Sequence, residues 1–356
     1  MPNSRSVELL RGLAVAAALA VAEPVMAHSP TGQVAGRAEA LVGSLDAGQR
    51  EKAVLPFDGE ARKDWHYTPR RRPGLRLDEM SDDQRRRAWA LMAAALSEVG
   101  FDKARGVILL EKILGEDSGN TAWRDPGNYA FAFFVQEGGR IGGAKPWGWR
   151  FEGHHLSLSF TVAPHLDLSF TPAFFGANPA VVREDHPEHG GMRLLADEHR
   201  LAFELLESLD DGQRGRAIIA GRTAGDIHSG PGRGLPFDAP EGLPASAMTE
   251  AQRDLLMRLV ETYVGNVGRE FAFRQMKRIE AAGVEKLHFA WTGATRPDAP
   301  HYYRIHGPVT LIEYDASQGG GDHVHSIWRD PTDPFGEDLQ RRHLTEQHDH
   351  SHPHPH

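Results

Sequence analysis

Residues 41–54 read LVGSLDAGQREKAV, and residues 205–218 read LLESLDDGQRGRAI. The shared core, Ser-Leu-Asp-x-Gly-Gln-Arg, is long and polar, and self-similarity at a long period decides an architecture before any local motif does. Working outward, Met80-Ser81-Asp82-Asp83-Gln84-Arg85 is answered by Met248-Thr249-Glu250-Ala251-Gln252-Arg253. Phe131-Ala132-Phe133 is answered by Phe289-Ala290-Trp291, and Trp149-Arg150-Phe151-Glu152-Gly153 by Tyr303-Arg304-Ile305-His306-Gly307. The agreements keep their order, at offsets running from 154 (Arg150 to Arg304) to 168 (Met80 to Met248). The chain therefore reads as two copies of one unit.

Each unit reads as helices followed by strands. Ser81 stands three residues before Gln84, and Thr249 three before Gln252. This is capping-box spacing: the hydroxyl accepts from an early N–H and the amide reaches back. Arg87–Val99 and Asp254–Val264 carry apolar residues at helical period. Leu156–Val162 (LSLSFTV) alternates strictly, which predicts a half-buried strand, with Val309–Tyr314 as its counterpart. Phe131–Val135 and His288–Trp291 supply the preceding strands. The expected fold is α+β, with units at residues 28–200 and 201–342 related by a pseudo-twofold axis and joined through antiparallel sheets. By analogy with other duplicated proteins, a site is expected where the units meet.

The two ends read differently. A polar segment with Arg5 and Arg11, the apolar run LAVAAALAVA (residues 13–22) and Val25-Met26-Ala27 have the order of a secretory signal peptide ending near residue 27. The apolar run is too short to span a bilayer, and no later stretch reaches that length. The expectation is an exported protein, periplasmic or extracellular, with no membrane span. Residues 343–356 carry six histidines and end in HDHSHPHPH, a composition that cannot pack. Such a tail either captures transition metal or is a solvated tail whose metal affinity is incidental. Cleavage after Ala27 would also leave His28 as a new N-terminus, whose amine and imidazole chelate copper. The net charge of -9 disfavours nucleic acid and anionic membranes as partners. Zero cysteines exclude a disulfide framework and thiolate chemistry.

Four longer motifs, Trp147-Gly-Trp-Arg-Phe-Glu-Gly-His-His-Leu-Ser-Leu-Ser-Phe, Thr171-Pro-Ala-Phe-Phe-Gly-Ala-Asn-Pro, His301-Tyr-Tyr-Arg-Ile and His323-Val-His-Ser-Ile-Trp-Arg-Asp, resemble the DUF3500 family of exported bacterial proteins. The resemblance extends to about Arg342 and implies no assigned reaction, so chemistry must be read from the residues.

His323 and His325 are spaced by two, so an extended backbone turns both imidazoles to one side, a common way for a strand to present two nitrogens to one metal. His154 and His155 stand at the head of the alternating strand, where neighbours point to opposite faces, so only one of them is expected to complete a three-histidine set. Glu152, Glu313 or Asp315, or a water, would fill the remaining position. Copper or zinc suits such a set, because an open position keeps the metal accessible to substrate. A metal-free acid/base site built from the same residues is the alternative. Arg150 and Arg304, equivalent across the repeat and beside aromatic residues, are candidates to clamp a substrate carboxylate, although a repeated arginine more often ties a turn to a carboxylate. The basic, aromatic run Lys63–Arg76 (KDWHYTPRRRPGLR) is expected to pair with carboxylates or to grip an anionic ligand, with Trp65, His66 and Tyr67 lining the cleft. No H-E-x-x-H, Gly-x-Ser-x-Gly or phosphate-loop motif is present. Three functions follow: a metal-dependent hydrolase or copper/iron oxidoreductase acting on a small-molecule substrate, a non-catalytic metal-handling protein, or a metal-free small-molecule binder.

Overall fold

The computed structural model describes residues 29–163 and 167–337. The expected leader (1–27), His28 and the histidine tail (343–356) lie outside the described residues. The first half contains helices α1 (Pro30–Gly43), α2 (Ala47–Ala53), α3 (Asp82–Ala95) and α4 (Glu98–Ser118). Its strands are β1 (Val54–Pro56), β2 (Leu75–Arg76), β3 (Ala130–Val135), β4 (Trp147–Gly153), β5 (Leu156–Ala163), β6 (Asp167–Ser169) and β7 (Ala173–Ala177). The second half contains α5 (Ala196–Ser208), α6 (Asp211–Ala217), α7 (Glu250–Val264) and α8 (Arg269–Gly283). Its strands are β8 (Ile218–Ala220), β9 (Leu243–Pro244), β10 (His288–Gly293), β11 (His301–His306), β12 (Leu311–Gln318) and β13 (His323–Arg329). Among the described residues no helix is long and apolar enough to cross a membrane.

The fold is α+β, and a single mixed sheet runs through both halves in the order β1-β3-β4-β5-β7-β13-β12-β11-β10-β8. With β1 matched to β8, β3 to β10, β4 to β11, β5 to β12 and β7 to β13, this order reads the same from either end. Each outermost strand is parallel to its neighbour, β1 to β3 and β8 to β10, whereas the central β7–β13 contact is antiparallel. The halves also meet at equivalent helix junctions: Leu96 bridges Val267, Ser97 N–H donates to Asn266 O (3.0 Å), and Gly268 N–H donates to Ala95 O (2.9 Å).

The repeated motif has a physical explanation in four capping boxes. Asp46 with Gln49 starts α2 and Ser81 with Gln84 starts α3. Asp210 with Gln213 starts α6 and Thr249 with Gln252 starts α7. Each glutamine then uses its amide to bond the other box. Gln84 Nε2 reaches Gln49 Oε1 (2.7 Å) and the Ser44 carbonyl (2.9 Å). Gln252 Nε2 reaches Gln213 Oε1 (2.9 Å) and the Ser208 carbonyl (2.8 Å). A buried amide left unpaired would cost roughly 1–3 kcal/mol, so the motif recurs because its two parts satisfy each other.

The main core lies between helices and sheet. Phe131, Phe133, Leu156, Leu158, Phe160, Ile312 and Tyr314 pack against Leu91, Val107, Leu110, Leu256 and Val260. The expected half-buried strand is corrected here, because β5 is buried on both faces. Its polar face meets a layer of loops rather than water. Ser157 Oγ donates to Glu152 (2.9 Å), Thr161 Oγ1 donates to the Phe335 carbonyl (2.7 Å), and Arg62 donates to Thr161 (3.2 Å). Alternation thus marks two different packing partners, not one dry face and one wet one.

Candidate metal centre

Strand β13 turns His325 and Ile327 to the loop side, where Ile327 packs with Phe174 of β7, Trp65, Tyr67, Ile227 and Phe335. His323, two residues back, shares that side, as its spacing predicts. The third imidazole comes from a turn. His154 and His155 link β4 to β5, and His155 has φ +58°, a left-handed conformation. Its amide donates to the Tyr67 carbonyl (2.8 Å) and its carbonyl accepts from Gly176 N–H (2.7 Å), which fixes the turn. Gly176 stands opposite His325 in the sheet, and a Cβ there would lie 3.0 Å from His155 Cδ2 and from the Val324 carbonyl. A methyl there would be tight against the ring and would need it or the strand to shift slightly.

The expectation that His154 and His155 face opposite ways is corrected by this geometry. They are not strand residues. Their rings stack at 3.9 Å, and both Nδ1 atoms meet one carboxylate oxygen of Glu111, at 2.8 Å from His154 and 3.0 Å from His155. His155 then presents its other nitrogen, Nε2, to His323 Nε2 at 2.8 Å. His155, His323 and His325 offer ligand atoms that all lie within 4.8 Å of one another, and so do Glu111, His154 and His155.

The Nδ1 side of each imidazole in the three-histidine set is occupied. His155 bonds Glu111, His325 bonds Asp226 Oδ1 (2.7 Å), and His323 meets Asn178 Nδ2 (3.3 Å). Asp226 accepts in turn from the Tyr67 hydroxyl (2.8 Å). The carboxylates accept from Nδ1–H of His155 and His325 and so leave their Nε2 lone pairs for a metal. The Asn178 amide instead donates to His323 Nδ1, which puts the His323 proton on Nε2, in the contact with His155, and that proton must leave before this nitrogen ligates. Burial pushes the His155 imidazole down to about 3 and the His323 imidazole down to about 4, so both are neutral near pH 7, the form that ligates. Burial alone would raise the Glu111 carboxyl, but the bonds from His154 and His155 override it and hold it well below the usual range. Asp226 behaves likewise: burial raises it, and the His325 bond brings it below its ordinary value.

Of the two ligand sets, the three histidines are the better metal site. Arg124 places its guanidinium 3.1 Å from both Glu111 oxygens and 3.4 Å from His154 Nδ1, so a cation at Glu111 would face a fixed positive charge. A tetrahedral zinc with Zn–N of about 2.0–2.1 Å holds its nitrogens about 3.3 Å apart. The 2.8 Å gap between His155 and His323 would open by about half an ångström to accept it. Asp315 is paired with His325 across β12 and β13 on the same face. Its Oδ2 is buried without a hydrogen-bond partner, and burial raises its carboxyl above the ordinary value. Its other oxygen, Oδ1, accepts from the amide (3.1 Å) and hydroxyl (2.5 Å) of Ser317, so one carboxylate oxygen on the histidine face of the sheet stays unpaired.

The remaining sequence candidates sit elsewhere. Glu152 receives Arg150 Nε (2.9 Å), Arg72 Nε (3.1 Å) and the His66 amide (2.9 Å). Glu313 receives the amides of His228 (2.7 Å) and Ser229 (2.8 Å) and the Tyr302 hydroxyl (2.8 Å). Arg150 donates to the carbonyls of Ala61, Arg62 and Asp64, and Arg304 bonds Glu241 (2.7 Å) over the ring of Phe237. All four are committed to holding loops. The loop held by Arg150 and Glu152 carries Tyr67, and the loop held by Glu313 carries Asp226, the pair that backs His325. Sequence reasoning missed Glu111, Asp226 and Asn178. Glu111 left one signal, an acid at a buried position of the apolar run Val107–Leu114 on α4. Asp226 and Asn178 left none, being polar residues in polar loops.

Among curated proteins and among solved structures, nothing matches the chain. The family model described as "Protein of unknown function (DUF3500)" matches residues 27–337, and the chain belongs to that family.

Proposed function

We propose that this protein is an exported metal-dependent enzyme whose metal, zinc or copper, is held by His155, His323 and His325. The observation that carries the reading is the arrangement of three buried or half-buried imidazoles whose Nδ1 atoms are each backed by an outer partner while two Nε2 atoms meet at 2.8 Å. Three protein nitrogens leave a fourth position for water or substrate, the pattern of a catalytic centre rather than of a closed structural one. Bound there, zinc supplies Lewis-acid activation for hydrolysis, and copper supplies electron transfer for oxidation. The chain's own residues keep His155 and His323 neutral by burial and orient the three rings through Glu111, Asn178 and Asp226. We infer further that the matched element order and the paired junctions reflect two like halves about a twofold axis, with the centre at their contact.

The test is the metal content of the full chain and of the His323→Ala/His325→Ala variant after dialysis. The tail is common to both, so the difference isolates the site. The reading expects a difference of one equivalent, and equal contents would end it. Carriage without catalysis is the second reading. It is favoured by the histidine tail, and it would be preferred if the bound metal shows no exchangeable water or substrate position.

A further inference from the structure

We propose that the cleft beside this centre binds a small molecule carrying an oxyanion, a carboxylate or a phosphate. The proposal rests on the metal reading for the consequence of binding, not for binding itself. The cleft has a volume of about 750 Å³, and its lining includes Glu111, His154, Tyr129 and Trp123. Six basic side chains, Lys52, Arg70, Arg71, Arg72, Arg76 and Arg124, line it against four acidic ones, Glu51, Glu79, Glu111 and Asp125. Five of these cations are ion-paired, Lys52 with Glu79, Arg70 with Asp64, Arg72 with Glu152, Arg76 with Asp78 and Arg124 with Glu111. Among the described residues Arg71 is therefore the guanidinium left to an anion, in a concave surface that focuses its field.

The basic run is built as a rigid wall. Arg72 is spent on Glu152 (3.1 Å) and on the carbonyls of Thr68, Arg70 and Gly153, which pins the loop to the sheet. Gly74, at φ +112°, lets that loop lie against β3, where a Cβ would come 2.5 Å from the Phe131 carbonyl. Arg70 is neutralised by Asp64 (2.6 Å) and Arg76 by Asp78 (2.7 Å). Arg71 is exposed, and its side chain has no ion pair or hydrogen bond among the described residues. Arg124 lines the cleft beside His154, whose side chain is 14% exposed; its Nη1 is held by Glu111 at 3.1 Å, which leaves the rest of the guanidinium to a ligand. An oxyanion between Arg71 and Arg124 sits over His154, whose ring stacks on metal-ligand His155. Trp123, 62% exposed, lines both this cleft and a smaller hollow over His154, and offers a flat apolar face to the remainder of the ligand.

The experiment is calorimetric titration of the full chain with benzoate, inorganic phosphate and neutral benzamide. Saturable, mutually competitive binding of the two anions, with benzamide at least tenfold weaker than benzoate, is expected. Arg71→Glu should weaken both anions at least tenfold with an unchanged thermal melt, and Trp123→Ala should weaken benzoate alone, which separates a carboxylate on a ring from a bare oxyanion. Absence of saturation, equal binding of benzamide, or an Arg71→Glu constant within twofold of the parent overturns the proposal. In His323→Ala/His325→Ala anion binding should persist. Its loss there would assign the anion to the metal and also overturn the proposal. Persistence with no change in metal content would end the metal reading while leaving the cleft intact.

Discussion

Asp226→Asn separates charge from shape behind the proposed metal. Asp226 Oδ1 accepts from His325 Nδ1 at 2.7 Å and from the Ile227 amide at 2.8 Å, while Oδ2 accepts from the Tyr67 hydroxyl at 2.8 Å. Asparagine has the same outline. Its Oδ1 keeps the first two bonds, and its Nδ2 donates to the tyrosine oxygen once that hydroxyl rotates. What disappears is one negative charge, about 6 Å from a metal on the far side of the imidazole, worth at most about 5 kcal/mol against a divalent ion at an effective dielectric of about 20. Solvent and protein relaxation reduce that ceiling, and outer-partner substitutions change metal affinity by about 10–100-fold. We therefore expect zinc binding to weaken by about 1.4–2.7 kcal/mol. The assay is competition against a chromophoric chelator at pH 7.5, with His323→Ala/His325→Ala as the baseline for the tail. An Asp226→Asn dissociation constant within twofold of the parent would refute the claim that this carboxylate backs a metal-binding imidazole.

Gly176→Ala should lower stability by about 1–3 kcal/mol in urea and reduce metal occupancy, because the new methyl pushes on the His155 ring; unchanged stability would show that the ring has room to move. Lys103 donates to Glu198 at 2.5 Å in a buried pair that ties α4 to α5. Lys103→Ala, which leaves Glu198 buried without its cation, should cost about 3–5 kcal/mol by chemical denaturation. Burial depresses His155 to about 3 and His301 and His306 to about 4, below the 6.5 of the unfolded chain. The unfolded state of the metal-free protein therefore takes up protons first as pH falls. Stability is complete above pH 6.5, declines through pH 5, and goes on falling until about pH 4 for the latter two and about pH 3 for His155. A urea midpoint that stays flat between pH 6.5 and 5 would contradict the burial of these rings.

The sequence made the helices and their recurring starts legible because those signals are local. Ser81 with Gln84 is a helix start wherever it occurs, and its recurrence at Thr249 and Gln252 needs no tertiary knowledge. Strand environment was less legible, since Ser157 and Thr161 look the same whether they face water or the loops that cover them. The site divided along the same line. The shared direction of His323 and His325 is legible because spacing by two on a strand fixes it. His155 was half found: the pair was singled out, but one left-handed residue turns it from a strand position into a corner, and φ at a histidine is not written in composition. The acids that contact the rings are not legible for a related reason. Glu152 lies close to the histidines along the chain, whereas Glu111 is on a helix and Asp226 in the other half. Proximity in sequence favoured the acid that anchors a loop over those that back the rings. Each half uses a buried carboxylate, Glu152 or Glu313, to hold its own loop, although the two do not occupy matching positions, since Glu152 is answered by His306. His154 and His155 have no counterparts: the positions in the second half that follow Gly307, as they follow Gly153, hold Pro308 and Val309. The corner that supplies His155 to the proposed centre is therefore a place where the two matching stretches of sequence differ.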